Sequence, residues 1–407
     1  MKYVIIGAGA AGISAARTLR KHAATHDEIV IISTDDAVHS RCMLHKFIGG
    51  ERDVKALSFV PDNFFEENNI RWLPNTTITR IDTDLKAVLH GGGAELYDRL
   101  LIATGANSAF PPIGGLQSAN GVYGLRHLSD AKAIRKLAET AQNILILGAG
   151  LVGLDAAYGL IEMGKKPTVI EMGKTVMPLN MDSRAAATYQ SRFEAEGCKF
   201  LFESKVTGIE TDIDGRIAGV ALSCGTVLPC DLLVVAAGVR PAIQFAAEAG
   251  LESNRGLTVD KHFLTSDPNI FAAGDATGLS ETWPDAVRQG EVAALNMCGI
   301  ATPFEDATVS KNTVNFFNIT TLTVGQIPLQ PGNTEAVREA GPNYQRVVLQ
   351  GGVPLGVILQ GDISRSGFWQ QLIKNKVNTS NINKPIWKIY FADAYGMNDN
   401  GEYEWVN

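Results

Sequence analysis

Two stretches of this chain have residue types and spacing suited to holding phosphate. Gly7-Ala8-Gly9-Ala10-Ala11-Gly12 lies near the N-terminus, and Gly148-Ala149-Gly150-Leu151-Val152-Gly153 lies further along. Both read G-x-G-x-x-G. Each follows a short apolar run (Tyr3 to Ile6; Ile144 to Leu147) and opens a helix-like stretch. Strand, tight turn and helix are the context in which a dinucleotide pyrophosphate is bound. Only a residue without a Cβ lets the turn tighten, the backbone approach phosphate and the helix pack on its strand. The helix start then offers unpaired N–H groups and the positive end of its dipole. One such unit holds one dinucleotide. Two imply two dinucleotides, with electrons passing from one to the other.

An acid about 20 residues beyond the last glycine is placed to hold ribose hydroxyls. In the first unit that acid is Asp35, with Asp36 as the alternative register; in the second it is Glu171. Met172-Gly173-Lys174 offers no arginine for a 2′-phosphate, which favours NADH over NADPH. Asp275 follows a strand and Gly274, where it could accept hydrogen bonds from a polyol such as a flavin ribityl chain. Cys224 and Cys230 flank a hairpin and read as half-buried strand thiols, and no cysteine pair has the C-x-x-C spacing of a dithiol or metal site. The histidines form no metal-spaced cluster, so no metal is expected. His39 and His45 read as exposed loop residues.

The elements that must position these groups follow from the hydrophobic pattern. Strands are expected at Tyr3–Ile6, Glu28–Ser33, Leu100–Ile102, Ile144–Leu147, Leu232–Ala237 and Ile270–Ala272, with the first helix over Gly12–Lys21. Pro111-Pro112 and Gly114-Gly115 mark a linker, and Val206–Val227 alternates as a meander turning at Asp214-Gly215 and Gly225. After Pro303 the texture changes. Val314–Val324 and Tyr344–Gln360 are rich in β-formers, and Phe368–Lys374 suggests a short helix, so a small α+β domain is expected.

Composition removes several functions. The chain has 407 residues, 45% hydrophobic and 19% charged, as expected of a globular protein large enough to bury sizeable cores. A net charge of −7 and a pI near 5.6 give no reason to expect nucleic acid or an anionic membrane as partner. The apolar stretch from Ile144 to Leu160 is broken by glycines and Asp155, so it is not a membrane span. There is no signal-peptide pattern at Tyr3, and the odd count of five cysteines suggests free thiols. A cytoplasmic location is therefore expected.

Taken together, Gly7–Gly12, Ala103-Thr104-Gly105, Gly148–Gly153, Ala237-Gly238-Val239-Arg240-Pro241 and Phe271-Ala272-Ala273-Gly274-Asp275-Ala276 resemble the pyridine-nucleotide disulfide oxidoreductase superfamily. Trp283 to Gly290 resembles its segment beneath the isoalloxazine, and the likeness covers about residues 1–300. Ser40 to Lys46 and Gly356 to Asp362 are most similar to NADH:rubredoxin reductases and the flavin domain of NADH-dependent nitrite reductases. The resemblance implies an α/β fold with two Rossmann-like domains, the NAD domain inserted in a discontinuous FAD domain. It implies FAD domain segments at 1–110 and 236–308 and an NAD(H) domain at 111–235; the α+β domain read from the residues takes 309–407, with an acidic, aromatic tail that is long for the family's third domain.

By the same resemblance, FAD falls to Gly7, Gly9, Gly12, Asp35, Arg41, Ile78, Ala103, Thr104, Gly105, Gly274 and Asp275. The remaining cofactor-binding residues are Gly148, Gly150, Gly153, Asp155, Glu171 and Gly238. Lys46 would approach flavin N5, and Cys42 is the second catalytic candidate. Cys42 to Gly50 also resembles the single-cysteine segment of CoA-disulfide reductases and NADH peroxidases, which leaves two readings open. Cys42 is either a redox thiol or, preferably, a small buried residue. Asp155, where the family often has glutamate, is either a nicotinamide contact or a solvent-facing helix carboxylate.

The implied activity is electron transfer from NADH through FAD to a small iron–sulfur protein. The alternatives are a thiol-based reductase, oxidase or peroxidase, or a flavin-bearing subunit of a larger redox complex; a homodimer is compatible with each. The C-terminus carries a basic run (Arg365, Lys374, Lys376, Lys384, Lys388) and then an acidic one (Asp393, Asp399, Glu402, Glu404) with Tyr395, Tyr403 and Trp405. The basic run could steer an acidic carrier; the tail could dock on a partner.

Overall fold

The computed structural model describes residues 1–407 apart from 306–308, 399 and 407. Asp399 and the expected boundary at 308/309 lie outside the described residues.

The first unit is built on a five-stranded parallel sheet. Strand Lys2–Ile6 lies at its centre, between Glu28–Ile32 and Arg99–Ile102, with Ile70–Leu73 and Ile270–Ala272 at the edges. These strands are near-continuous apolar runs because a parallel sheet is covered on both faces. Helix Ala10–His22 packs on one face and meets helix Trp283–Met297 across Gly290, where a Cβ would stand 2.2 Å from the Ala11 carbonyl oxygen. A late segment of the chain thus closes over the first glycine turn.

The second unit repeats the plan. Strand Ile144–Leu147 pairs in parallel with Thr168–Ile170 and Leu232–Val235, and Lys199–Leu201 and Val122–Tyr123 complete the sheet. The expected meander is a separate antiparallel sheet of Val206–Thr211, Ile217–Leu222 and Val227–Pro229. The half-buried reading of its thiols is corrected: Cys224 sits exposed in the turn, and Cys230 is buried beyond the last strand.

Beyond residue 308 a five-stranded antiparallel sheet (Lys311–Phe316, Ile319–Gly325, Thr334–Ala340, Asn343–Gln350, Val353–Gln360) carries helix Ser366–Lys374 on one face. Its other face is tied to helix Ser183–Ala195 of the second unit. Tyr189 donates to the Ile319 carbonyl (2.8 Å) and Thr321 (2.9 Å), and Gln360 donates to the Ala185 carbonyl (3.1 Å). The tail folds back as a hairpin, Tyr395–Met397 with Tyr403–Trp405. Trp405 packs against the core of this domain. Two of the five residues of the basic run are engaged: Arg365 donates to the Trp387 and Ile389 carbonyls, and Lys384 bonds Asp393 at 2.5 Å. Among the described residues, no helix is long and apolar enough to cross a membrane.

Candidate active site

Both glycine turns take the conformation that phosphate binding needs. Gly7 has φ +113° and Gly148 φ +106°, values that side chains rarely adopt. A Cβ on Gly12 would stand 1.9 Å from the Gly7 carbonyl oxygen, and one on Gly153 stands in the same relation to Gly148. By contrast, a Cβ on Gly9 or Gly150 would meet nothing within 4 Å, so each turn leaves open space above its middle glycine. Those glycines are the N-caps of helices Ala10–His22 and Leu151–Glu162, and neither supplies a side-chain hydrogen bond to the helix start. Helices Ser183–Ala195 and Trp283–Met297, in contrast, are capped by Asp182 and Thr282. The uncapped N–H groups and helix dipoles fit an anionic pyrophosphate at both turns.

A cleft of about 710 Å³ runs from the first turn and is lined by Gly7, Gly9, Asp35, Arg41, Ile78, Ala103 and Thr104. A narrower recess of about 80 Å³ continues past Gly9, Ala103 and Thr104 to Cys42, Gly105, Gly274, Asp275 and Trp283. Of the two acids, Asp35 lines the cleft, 3.7 Å from Arg41, whereas Asp36 lies 3.4 Å from Lys132 and does not line it. Thr104 is fixed by donating to the Ala242 carbonyl (2.8 Å). Gln289 accepts from the Gly274 N–H (2.8 Å) and so holds the turn that presents Asp275.

Asp275 is 9% exposed and bonded to Arg126, whose Nε donates to the Ala106 carbonyl (3.1 Å). Arg41 in turn donates to the Arg126 carbonyl (2.8 Å). Burial, with Arg126 nearby, pulls the Arg41 pKa below its ordinary value. Sequence reasoning missed Arg126. It precedes a helix in the second unit, far along the chain from both partners, and its one local signal is a polar Arg126-His127 pair interrupting an apolar run.

At the second turn, Glu171 accepts from the N–H groups of Ala149 and Gly173, both at 2.7 Å. This fixes the carboxylate over the glycine turn, where its free lone pairs could receive hydroxyl groups. Gly238 (φ +102°) lies exposed in the connection leaving strand Leu232–Val235 and lines neither the cleft nor the recess.

Four further residues are placed otherwise than the sequence suggests. Cys42 is not a small buried residue. It is exposed on the wall of the recess, in the short 3₁₀ turn Arg41–Met43. Crowding by surrounding protein atoms nonetheless raises its thiol pKa, helped by the charge of Asp155. Lys46 lines neither cavity; its ammonium bonds Glu51 at 2.5 Å and lies 5.1 Å over the Tyr158 ring. His39 and His45 are not exposed loop residues but buried, at 4% and 8% exposure.

Asp155, on helix Leu151–Glu162, is half-buried with Oδ1 3.3 Å from His45 Nδ1, and burial of the carboxyl group pushes its pKa up to about 8. Among the described residues no group of three or more His, Cys, Asp or Glu is arranged to hold a metal.

Comparison with known proteins agrees with this geometry. Residues 1–290 match the pyridine nucleotide-disulphide oxidoreductase family, and the chain belongs to it. Members of this class are flavoproteins that use FAD with a nicotinamide nucleotide. The chain is 28% identical over 393 residues to nitrite reductase [NAD(P)H] of Bacillus subtilis. That match spans 94% of this chain but about half (48%) of the relative. It is 34% identical over 315 residues to rubredoxin-NAD(+) reductase of Pseudomonas putida, covering 74% of this chain and 81% of the other. Its fold superposes on the reductase of the covalent putidaredoxin reductase–putidaredoxin complex with a TM-score of 0.81 and 26% identity, over 93% and 94% of the two chains.

Proposed function

We propose that this protein is an FAD-dependent NADH oxidoreductase that passes electrons to a small iron–sulfur protein of rubredoxin or ferredoxin type. The observation that carries the reading is the pairing of two glycine turns with a recess containing a single cysteine. When bound, FAD supplies what no side chain can, accepting a hydride and releasing electrons singly.

The chain's own residues bind and orient. The turn at Gly7–Gly12 takes the FAD pyrophosphate, Asp35 the adenosine ribose, and Asp275 the ribityl hydroxyls. The turn at Gly148–Gly153 takes the NADH pyrophosphate, and Glu171 its ribose. Trp283, edge-on to Phe59 at 4.8 Å, walls the recess against water. Such positioning requires no nucleophile. A thiol relay would need Cys42 as thiolate, and the raised pKa of that thiol works against it. We place the protein in the cytoplasm, in keeping with five free cysteines.

The test is anaerobic stopped-flow of the FAD-loaded protein with NADH, followed by addition of rubredoxin or a [2Fe–2S] ferredoxin. Flavin bleaching and then carrier reduction are expected. Absence of bleaching would sink the reading.

A further inference from the structure

Every exposed Phe, Tyr or Trp among the described residues lies between positions 390 and 403. Tyr390 is 63% exposed, Phe391 50% and Tyr403 67%, and Met397 beside them is 66% exposed. The C-terminal hairpin gathers most of them on one face. Tyr395 pairs with Trp405 and Met397 with Tyr403, while Gly396 and Glu404 lie between them and point the other way. Phe391 joins the apolar face, its ring 5.2 Å from Tyr395 and 5.4 Å from Trp405. At one end of this face Trp405 packs on the domain core; at the other, Met397 and Tyr403 stay open to water.

A two-stranded hairpin is marginal by itself, and here the domain holds it in place. The Val406 N–H donates to the Ala394 carbonyl (2.9 Å), and Asp393 accepts from the Tyr390 N–H (2.9 Å) while bonded to Lys384. The apolar face is therefore a fixed part of the domain surface. A buried aromatic side chain removes about 150–250 Å² from water, so the exposed fractions here leave roughly 400–500 Å² open, about half or more of the ~800 Å² that each partner brings to a stable interface.

Charge decides the occupant. From Ile389 to Val406 the chain has no Lys, Arg or His. Glu402 in the turn and Glu404 on the reverse of the thin hairpin are both exposed, and at physiological salt their field reaches about 8 Å, enough to make the margin of the apolar face negative. The same domain exposes Lys374, Lys376 and Lys388, none with an ion-pair partner among the described residues. An acidic iron–sulfur carrier is repelled by such a margin. An acidic apolar face and unpaired lysines on one domain are instead two halves of a self-complementary contact, since across a two-fold axis every contact is made twice. We propose that the hairpin face docks on a second copy of this chain. Phe391, Met397 and Tyr403 form the centre of the contact, and Glu402 and Glu404 face the lysines of the second copy at its rim.

The experiment is sedimentation velocity of the full chain with light scattering as a check on mass. Wild type should be a dimer at micromolar concentration. Met397→Ser combined with Tyr403→Ser, both at exposed positions, should raise the dimer dissociation constant about a hundredfold or more. A charge swap separates loss of contact from loss of fold. One variant carries Glu402→Lys and Glu404→Lys; the other carries Lys374→Glu, Lys376→Glu and Lys388→Glu. Each should be monomeric alone, and the two should pair when mixed, because mixing restores opposite charges at both halves of the contact. A monomeric wild type overturns the proposal, including one that gains mass only when a different protein is added. A dimer that survives both sets of substitutions places the contact elsewhere and overturns it too, as do swapped variants that dissociate but fail to pair on mixing.

Discussion

In the turn at residues 7–12, a Cβ on Gly7 would stand 2.2 Å from the Ala103 carbonyl oxygen; in the turn at 148–153, one on Gly148 would stand 2.5 Å from that of Ala236. The two backbones solve the same steric problem, and their surroundings diverge. Over the first, the chain returns after strand Ile270–Ala272 and adds Asp275, Trp283 and the helix that packs through Gly290. Over the second, a single carboxylate, Glu171, reaches back to the turn. Shared stereochemistry thus suits a common chemical group, and under the proposed function the added cover would separate a ligand that stays from one that exchanges.

The largest break in this comparison should come from alanine at the third glycine of each turn. Gly12→Ala forces a Cβ to 1.9 Å from a carbonyl oxygen and should yield protein without bound FAD, seen as loss of flavin absorbance after purification. Gly153→Ala should keep its flavin yet weaken NADH binding at least about tenfold, measured by the NADH dependence of bleaching. Should both variants lose flavin, the two turns are not separable in function.

A smaller effect is expected from Asp275→Ala. It removes the partner of Arg126 and should loosen FAD about tenfold in fluorescence titrations of the apoprotein, an effect typical of losing a charged hydrogen-bond acceptor. Glu171→Gln should weaken NADH and narrow the NADH-over-NADPH preference, because a carboxylate repels a 2′-phosphate. An unchanged ratio of kcat/KM for the two nucleotides would remove Glu171 from the specificity argument.

Asp155 adds a pH test between the two units. A carboxyl raised to about 8 keeps its proton in the folded state over a range where the unfolded chain has lost it. Its contribution to stability is therefore present near pH 4 and is lost as pH rises through about 8. Asp155→Asn should gain a few degrees of Tm relative to wild type at pH 9 and less at pH 5. The smallest effect should come from Cys42→Ser, which is expected to leave electron transfer to an iron–sulfur carrier within about twofold. A loss of a hundredfold or more would restore the thiol-relay reading, because removing a true nucleophile costs far more than a twofold change.

The glycine turns, Glu171 and Asp275 were legible in the sequence because each depends on local order: strand, turn, helix and an acid at a fixed distance. Arg126 was not, because it reaches Asp275 from another unit and its neighbours carry no spacing rule. The pairing of His45 with Asp155 escaped for the same reason, since two glycines on different helices create it. Cys42 was misjudged because it was read as filling a position that takes proline or an aliphatic residue in similar proteins, while a 3₁₀ turn sets it on the wall of the recess. The C-terminal basic run read as a surface that could steer an acidic carrier, yet Arg365 and Lys384 are spent within their own domain.

The C-terminal sheet is fastened to the second unit by Tyr189, Gln360 and the exposed pair Arg184–Glu339 (3.1 Å). Mechanically, the sheet and the nucleotide unit form one lever arm. Any tilt of that unit as nucleotide enters or leaves would sweep the sheet through a larger arc.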